Sequence, residues 1–334
     1  MLSRLITLNM AVLTLTVSVA CQRPDDRVIF ALPATTLSAT SAFVAEDLEM
    51  YRREGLNVTT RVVIGVAAPN AVLSGSADFT LGSGAVFLRA IARGEQFLAI
   101  ANVIDRPMVE FVIRKDIAEQ RGISDQLSLN ARAARLRGLT IGVQGVGSVV
   151  HAWQRYVVHH GGLDVDRDVR IAPMDAASML PAMRRHTIDG FVTSPPFTTQ
   201  ALVEGDAVML ASAVTDAPAL LPFAYGLIYA TPDTCRRRAA VCRGMARAFA
   251  AAARAIQDDP DDVFERVVRK RFPETPPDLL RAAWKTTRAA HATDVRVTEQ
   301  QMINARRVSL EAELLDESSA PTSYRGLFTD AYLR

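Results

Sequence analysis

The chain has 334 residues, which is long for one domain and ample for two. Hydrophobic residues make up 49% and charged residues 22%, a balance that is typical of globular proteins and excludes a disordered chain. The net charge is +2 and the arginines are spread along the chain, so the composition gives no indication of nucleic-acid binding.

The first 21 residues have the pattern of an export signal. Arg4 is followed by an apolar run from Leu5 to Val19 and by small residues before Cys21. The apolar run is shorter than the roughly 20 residues that a membrane-spanning helix needs, and the polar segment QRPDDR follows it. We therefore expect residues 1–21 to be a signal peptide and the protein to be exported to the periplasm or cell envelope.

Cys21 leaves two outcomes open for the end of this signal. Small residues before the cut suit ordinary signal peptidase, whereas a cysteine directly after the cut suits lipoprotein processing, which attaches a diacylglyceryl group to the Cys21 sulfur. Ser18 stands where lipoprotein signals usually have leucine. Free cysteines are nevertheless scarce in exported proteins, so we favour lipidation of Cys21 and a membrane anchor.

The other two cysteines, Cys235 and Cys242, also leave two alternatives. On one continuous helix their positions would be about 10 Å apart, too far for a disulfide. A disulfide therefore requires a break in the helix between them, and two separate buried thiols are the other possibility. The spacing is not a metal-binding signature.

Strands and helices alternate over the first third of the chain, which predicts an α/β architecture with largely parallel sheets. The predicted strands are Val28–Leu32, Asn57–Ile64, Asp78–Leu81, Phe97–Val103 and Val109–Arg114, and the predicted helices are Ser41–Glu54, Ala67–Ser74 and Ala85–Arg93. Residues 115–137 are polar, and we expect them to be mobile apart from a short helix at Asn130–Leu136.

The same pattern restarts at Leu139 and ends in a helical region. Strands at Leu139–Val143, Val169–Ala172, Ile188–Thr193 and Val208–Leu210 alternate with helices at Ser148–His160, Ala176–Arg185 and Pro196–Glu204. Segment Asn70–Ser83 resembles Pro181–Ser194, with Asp78 and Asp189 at matching places, which indicates two similar lobes. After a strand at Phe223–Ala230, helices are predicted at Ala239–Ile256, Asp261–Arg271, Asp278–Ala290 and Glu299–Leu314.

Small and hydroxyl-bearing residues follow several of the strands. Gly142–Ser148 is neither a G-x-G-x-x-G nor a P-loop sequence, so a nucleotide site is not indicated. It still places backbone N–H groups and Ser148 at a helix start, which favours an anion or a polar oxygen. Similar turns lie at Ala31–Ser41, Ile64–Pro69 and Leu81–Ala85. Because ligands of open α/β sheets bind beyond the carboxyl ends of strands, the four turns together predict a cleft for a small solute.

No catalytic or metal-binding constellation is recognisable. His151 and His159 lie eight positions apart on one predicted helix, outside the usual i, i+4 spacing of a metal pair. There is no G-x-S-x-G, H-E-x-x-H or paired-carboxylate motif. Asp78 and Asp189 are expected to brace turns. We therefore predict no metal, no cofactor and no enzymatic activity.

Five segments resemble the patterns of a known family. They are FVAEDLEMYRREGLNVTTRVV, LSGSADFTLGS, ARGEQFLAIANV, LRGLTIGVQGVGS and HTIDGFVTSPPF, in this order. Over about residues 28–260 the chain is similar to the SsuA/TauA/NMT1-like periplasmic solute-binding proteins of ABC importers. Ser194 stands where that pattern has an acidic residue before proline, so any contact made by that carboxylate is lost here.

The resemblance implies a two-lobe periplasmic-binding-protein fold of type II, with a hinge and with C-terminal helices packed on lobe one. Its implied boundaries are 27–113 for the first part of lobe one, 114–222 for lobe two, and 223–334 for the completion of lobe one and the C-terminal helices. The hinge is expected near Val112–Arg114 and Phe223–Gly226.

By resemblance, the solute contacts come from both lobes. The implied ligand-binding residues are Thr35, Ser38, Ser83 and Gly84 from lobe one, and Gly145, Gly147, Ser148 and Ser194 from lobe two. These loops offer hydroxyl and amide groups without an obvious arginine. Phe43, Phe197 and Tyr225 could stack on a ring, although core packing is the commoner role of such residues.

The implied function is capture of a small anion or nitrogen heterocycle, such as a sulfonate, taurine, nitrate or a pyrimidine, by hinge closure. The implied partners are an ABC permease and its ATPase, and we expect a monomer. Two alternatives use the same fold: an enzyme related to the pyrimidine synthases, and a periplasmic ligand sensor.

Overall fold

Two five-stranded sheets with flanking helices form the structure. The computed structural model describes residues 26–334, so the expected signal peptide and Cys21 lie outside the described residues. Sheet one contains β1 Arg27–Leu32, β2 Asn57–Val62, β3 Phe79–Gly82, β4 Leu98–Asn102 and β10 Leu227–Ala230. Sheet two contains β5 Glu110–Arg114, β6 Thr140–Val143, β7 Arg170–Pro173, β8 Gly190–Thr193 and β9 Ala207–Ser212.

The helices pack on both faces of these sheets. In the first part of the chain they are α1 Thr40–Asp47, α2 Met50–Arg53, α3 Ala67–Leu73 and α4 Gly84–Ala92. Those associated with the second sheet are α5 Lys115–Arg121, α6 Leu129–Ala133, α7 Val149–His160, α8 Ala176–Arg184, α9 Phe197–Val203 and α10 Ala213–Asp216. The C-terminal set is α11 Pro232–Arg237, α12 Ala239–Asp258, α13 Pro260–Val263, α14 Arg269–Arg271, α15 Pro277–Thr287 and α16 Glu299–Glu311.

The two sheets have the same topology. Their strand orders are β2-β1-β3-β10-β4 and β7-β6-β8-β5-β9. In each sheet the first three strands are parallel, and the fourth strand is antiparallel to both of its neighbours. The predicted α/β fold with two similar lobes is confirmed.

The fourth strand of each sheet is formed by the chain directly after it crosses from the other lobe. The chain leaves sheet one after β4 and enters sheet two at β5, and it returns from β9 to β10. The expected boundary at residue 113 and the hinge segment Val112–Arg114 therefore fall inside β5, which pairs with β8 and β9. The first crossing is made instead by residues 103–109. Sequence patterns missed this because antiparallel pairing with a distant strand leaves no local signal.

The two crossing segments are hydrogen-bonded to each other. Asn102 is fully buried; its side-chain amide donates to Phe223 O at 3.2 Å, and its side-chain oxygen accepts from Gly226 N at 3.1 Å. The backbone adds bonds from Val103 N to Gly226 O at 2.8 Å and from Phe223 N to Asp105 O at 2.7 Å. The two crossings are thus bonded to each other, and Phe223–Gly226 forms part of the second crossing.

Two aspartates brace equivalent places in the two lobes. Asp78 accepts from the N–H of Ile29, and Asp189 accepts from the N–H of Thr140; in both pairs the residues are 49 positions apart. The Asp78 bond ties the turn before β3 to the adjacent parallel strand β1, and the Asp189 bond ties the turn before β8 to the adjacent parallel strand β6. The structure therefore places both aspartates in the bracing role that the sequence echo suggested.

The cysteines at positions 235 and 242 are bonded in the structure. The disulfide joins Cys235 to Cys242 with their Cα atoms 5.6 Å apart. The break that this bond requires lies at Arg238, between α11 and α12, where the backbone leaves the helical region. The disulfide alternative is therefore the one that the structure contains.

The C-terminal helices pack on lobe one, as predicted, and also reach lobe two. Helix α12 packs on α1 and α2, and α16 packs on α4. Helix α16 additionally contacts α7 of lobe two, where the buried Arg155 donates to Ala312 O and pairs with Asp166. The expectation of packing on lobe one alone is thus incomplete.

Helix α5, within residues 115–137, was not predicted. Arg114 bonds Asp116 at 2.6 Å at the start of this helix, and Ile117 and Ala118 are buried.

Among the helices of residues 26–334, none has both the length and the apolar character that crossing a membrane requires.

Gly226 allows the two crossings to approach closely, so we predict that Gly226→Ala destabilises the protein. A Cβ there would lie 2.8 Å from Ile104 Cγ1 and 3.0 Å from Ile104 N. Relieving this overlap requires a backbone shift that costs about 1–3 kcal/mol. Urea unfolding followed by circular dichroism measures the change.

Gly244→Ala in the middle of α12 is the control. The nearest atom to its Cβ would be the flexible end of Leu56, at 3.0 Å. Alanine also favours helix by about 1 kcal/mol over glycine. Equal losses of unfolding free energy in Gly226→Ala and Gly244→Ala would contradict the close approach of the two crossings at Gly226.

His291 is buried beside the first chain crossing. Its burial leads us to predict that acid destabilises the fold. It is 2% exposed, and its Nδ1 lies 3.0 Å from the Ser41 hydroxyl oxygen. Burial lowers the pKa of His291 to about 3. The folded form therefore keeps this imidazole neutral, while the unfolded chain binds a proton below about pH 6.5.

We predict that the free energy of unfolding falls as the pH drops from about 6.5 towards 3, by up to about 1.4 kcal/mol per pH unit from His291 alone. The stabilising contribution of the neutral imidazole is complete above about pH 6.5. The His291→Gln variant has no imidazole to protonate, so its unfolding free energy should depend less steeply on pH. Urea titrations between pH 7 and 4 make the comparison; an unchanged slope in the variant would contradict the assignment.

Candidate functional site

A cavity of about 80 Å³ lies between the two lobes. Its walls are mostly apolar and are made by prolines, aliphatic side chains and glycines from the turns that follow the strands. Its polar side chains are Ser38, Ser83, Gln144, Ser148, Ser194, Tyr225 and Tyr229. No lining residue in the described part of the chain is charged, so polar recognition relies on neutral groups.

The lobes touch around this cavity. Leu37 N of lobe one donates to Pro195 O of lobe two at 2.9 Å. A Cβ on Gly65 would lie 3.6 Å from Gln144 O across the cleft. The structure is therefore a closed form, in which the two sets of turns meet at their tips.

The lobe-two side of the cavity is the start of α7. Ser148 caps this helix: its Oγ accepts from His151 N at 3.3 Å and donates to Gly145 O at 2.8 Å. Val149 and Val150, the first two helical residues, line the cavity. Their amides have no carbonyl one turn earlier to bond, as at the start of any helix. The helix dipole adds positive potential at the same place.

The lobe-one side is the start of α4, capped by Ser83. The Ser83 Oγ accepts from Val86 N at 3.3 Å, and both residues line the cavity. Gly84 was expected to face the solute but does not line the cavity. Its N–H donates to Ala224 O at 2.6 Å. A Cβ at Gly84 would lie 2.8 Å from the Cβ atoms of Ala224 and Ala305. Gly84 thus ties α4 to the second crossing.

The other sequence-predicted residues divide into two groups. The serines of the expected set, Ser38, Ser83, Ser148 and Ser194, all line the cavity. Thr35 is exposed and does not line it. Gly145 and Gly147 shape the turn before α7 with φ values of 148° and 79°, yet neither lines the cavity. The N–H of Gly147 donates to His151 Nδ1 at 2.9 Å.

Of the aromatic residues suggested for stacking, Tyr225 lines the cavity, whereas Phe43 is buried in the hydrophobic core. The Tyr225 hydroxyl lies 3.2 Å from the Ser194 hydroxyl, the group that stands where the resembling pattern has a carboxylate. Burial raises the pKa of Tyr225 to about 12. Its hydroxyl is therefore a neutral group that can donate a hydrogen bond.

Tyr229 and Gln144 line the cavity and were missed by the sequence analysis. The Tyr229 hydroxyl is buried without a hydrogen-bond partner among the described residues, 2.6 Å from where a Cβ on Gly82 would stand. Gln144 follows β6 directly and accepts from the Thr193 hydroxyl at 2.8 Å. The position of Gln144 directly after a strand could have identified it as a site residue from the sequence. Tyr229 lies within a strand, and its position gave no such signal.

His151 is a neutral, buried histidine that supports the turn before α7. Burial, and then the positive charges of Arg155 and Arg89, lower the pKa of His151 to about 4. Its Nδ1 accepts from the Gly147 N–H, so the neutral ring carries its proton on Nε2. The histidine supports the turn before α7 and does not line the cavity.

The structure thus consists of two α/β lobes of matching topology, which meet at facing helix starts around one cavity. The sequence pattern of the NMT1-like family matches residues 33–267. The chain belongs to the NMT1-like family, as the sequence resemblance predicted.

Solved structures share the fold at low sequence identity. A protein from Bordetella bronchiseptica RB50 matches with a TM-score of 0.78 and 20% identity, over 92% of this chain and 95% of that chain. The alkanesulfonate-binding protein SsuA from Xanthomonas axonopodis pv. citri, bound to MOPS, matches with a TM-score of 0.70 and 16% identity, over 88% of this chain and 96% of that chain.

The periplasmic nitrate-binding protein NrtA from Synechocystis PCC 6803 has a TM-score of 0.68 and 10% identity, over 92% of this chain and 87% of that chain. Among curated protein sequences, none is similar enough to count as a match. At these identities the likenesses establish the fold.

Proposed function

We propose that this protein is the extracytoplasmic solute-binding component of an ABC importer for a small anion or nitrogen heterocycle. The observation that carries the proposal is the convergence of two helix starts from opposite lobes on one cavity. Ser83 begins α4 on one side and Ser148 begins α7 on the other. Free amides and positive helix ends of this kind favour an anion or a polar oxygen atom.

Two of the structural neighbours support the same direction. The Xanthomonas protein binds alkanesulfonates and the Synechocystis protein binds nitrate, both small anions. Hydroxyl and amide groups around an apolar cavity also suit a neutral heterocycle, so the proposed solute range keeps both classes.

Capture proceeds by closure of the lobes about the bonded crossings. A solute that contacts both helix starts binds the closed form better than the open form, and this difference in affinity shifts the population towards closure. A permease and its ATPase then recognise the closed shape and take up the solute. No covalent bond changes, so the proposed role is binding without catalysis.

The expected location follows from the proposed role. We propose that residues 1–21 direct export, that Cys21 is lipidated and anchors the protein to the membrane, and that the protein acts as a monomer. Mass spectrometry of the purified mature chain distinguishes a diacylglyceryl-modified Cys21 from a simply cleaved signal.

A thermal-shift screen tests the function. Ethanesulfonate, taurine, nitrate, pyrimidines and dicarboxylates are added to protein that has been unfolded in guanidinium chloride and refolded to remove bound solute. A true solute at about 100 times its Kd stabilises the folded form by about 2.7 kcal/mol and raises Tm. If sulfonates, nitrate and pyrimidines all leave Tm unchanged, the proposed solute range is wrong.

We predict that Ser148→Asp weakens binding of an anionic solute while preserving the fold. Aspartate caps helices as well as serine does. Its carboxylate would occupy the positive end of α7 and compete with a bound anion. Calorimetry with the anion that raises Tm in the screen should therefore show at least about a tenfold loss of affinity, corresponding to about 1.4 kcal/mol.

Ser128→Asp is the matched control. Ser128 caps α6 through its side chain, which accepts from Ala131 N at 3.3 Å, and does not line the cavity. Equal effects of the two substitutions on affinity, or normal anion binding by Ser148→Asp, would contradict the placement of the solute at α7.

A further inference from the structure

Arg89 lies on α4 beside the interlobe cavity. It follows Val86, a lining residue, by three positions, which places both side chains on neighbouring parts of one helix face. Its Nη2 is 2.8 Å from where a Cβ on Gly147 would stand. Gly147 directly precedes Ser148, the cap of α7. The lobe-one guanidinium therefore rests against the lobe-two turn at the helix start.

Among residues 26–334, this guanidinium has no acidic partner. Its Nη1 is buried without a hydrogen-bond partner, and no carboxylate within residues 26–334 makes an ion pair with it. Neighbouring arginines differ in this respect: Arg93 pairs with Glu95 at 2.9 Å, and Arg155 pairs with Asp166. Burial, and then the positive charge of Arg93, lower the pKa of Arg89, although an arginine stays protonated in proteins.

The electrostatic potential at the start of α7, against which Arg89 packs, is itself positive. The start of α7 carries the positive end of the helix dipole and unbonded amides. Closure brings the Arg89 charge onto this helix end and removes part of its hydration, and both effects raise the free energy of the empty closed form. In an open form the separated lobes would leave the guanidinium hydrated.

We propose that Arg89 holds the empty protein open and makes a negative charge on the solute a condition for full closure. An anion at the start of α7 compensates both the helix end and Arg89, whereas a neutral molecule of similar shape leaves them uncompensated. The inference rests on the proposed binding function and narrows its solute class to anions. Arg89 thereby acts as a specificity-determining residue without lining the cavity.

Small-angle X-ray scattering of solute-free protein tests this directly. Removing the charge in Arg89→Met should raise the closed-to-open ratio about 2- to 30-fold, the range that charges near helix ends produce. The radius of gyration of the variant should therefore be smaller than that of the wild type at about 20 mM NaCl. Raising NaCl to about 500 mM should compact the wild type, because salt screens the repulsion, and should change the variant little.

Two variants complete the experiment. Arg89→Lys keeps the charge and should scatter like the wild type. Arg93→Met removes the same charge from an exposed position just after the end of α4, where Arg93 is paired with Glu95, and should also scatter like the wild type. Circular dichroism verifies that each variant is folded.

Equal radii of gyration for Arg89→Met and the wild type at low salt would overturn the role of Arg89, whichever solutes the thermal-shift screen finds. Equal compaction by Arg93→Met would overturn it as well, because net charge alone would then explain the effect. If the screen finds no solute but Arg89→Met is compact, the proposed importer function fails while the charge effect on closure stands. The two failures are therefore distinguishable.

Discussion

The site depends on the bonded pair of chain crossings between the lobes. Asn102 uses both polar atoms of its buried side chain to hold the returning segment at Phe223 and Gly226. The same segment accepts the first amide of α4 through Ala224 O. One set of hydrogen bonds thus fixes the relation of the two sheets and the start of the helix that faces the cavity. Without it, two correctly folded lobes would not direct their helix starts at a common point.

The similarity of the lobes explains why so much of the fold was predictable from sequence. In each lobe an aspartate in the turn before one strand, β3 or β8, bonds the adjacent parallel strand, β1 or β6, and the repeated topology places this residue at Asp78 and Asp189. The structure adds an arginine to each: Arg238 bonds Asp78 at 2.9 Å, and Arg114 lies 3.8 Å from Asp189. Those arginines come from different parts of the chain, so the sequence echo could not include them.

The site itself was predictable only in part, and the reason is physical. Ser83, which the family resemblance named, and Ser148, which stands at a predicted helix start, both cap helices and line the cavity. Gly84 was misplaced because the partner of its amide, Ala224 O, is distant in sequence and is set by the crossing. Arg89 escaped notice because it lies within a helix rather than in a loop. Local patterns specify which groups a turn offers, while long-range packing decides which of them stay free.

The electrostatic character of the cleft follows from two positive features and from a neutral residue at position 194. The α7 start and Arg89 supply positive potential from opposite lobes. Ser194 stands where the resembling pattern has an acidic residue, and its hydroxyl meets that of Tyr225. A carboxylate at that place would share a mostly apolar cavity with the α7 start and would repel an anion there, because charges interact more strongly in a low dielectric. Under the proposed function, the neutral Ser194 and Arg89, which has no ion pair among residues 26–334, therefore both favour an anionic solute over a cationic one.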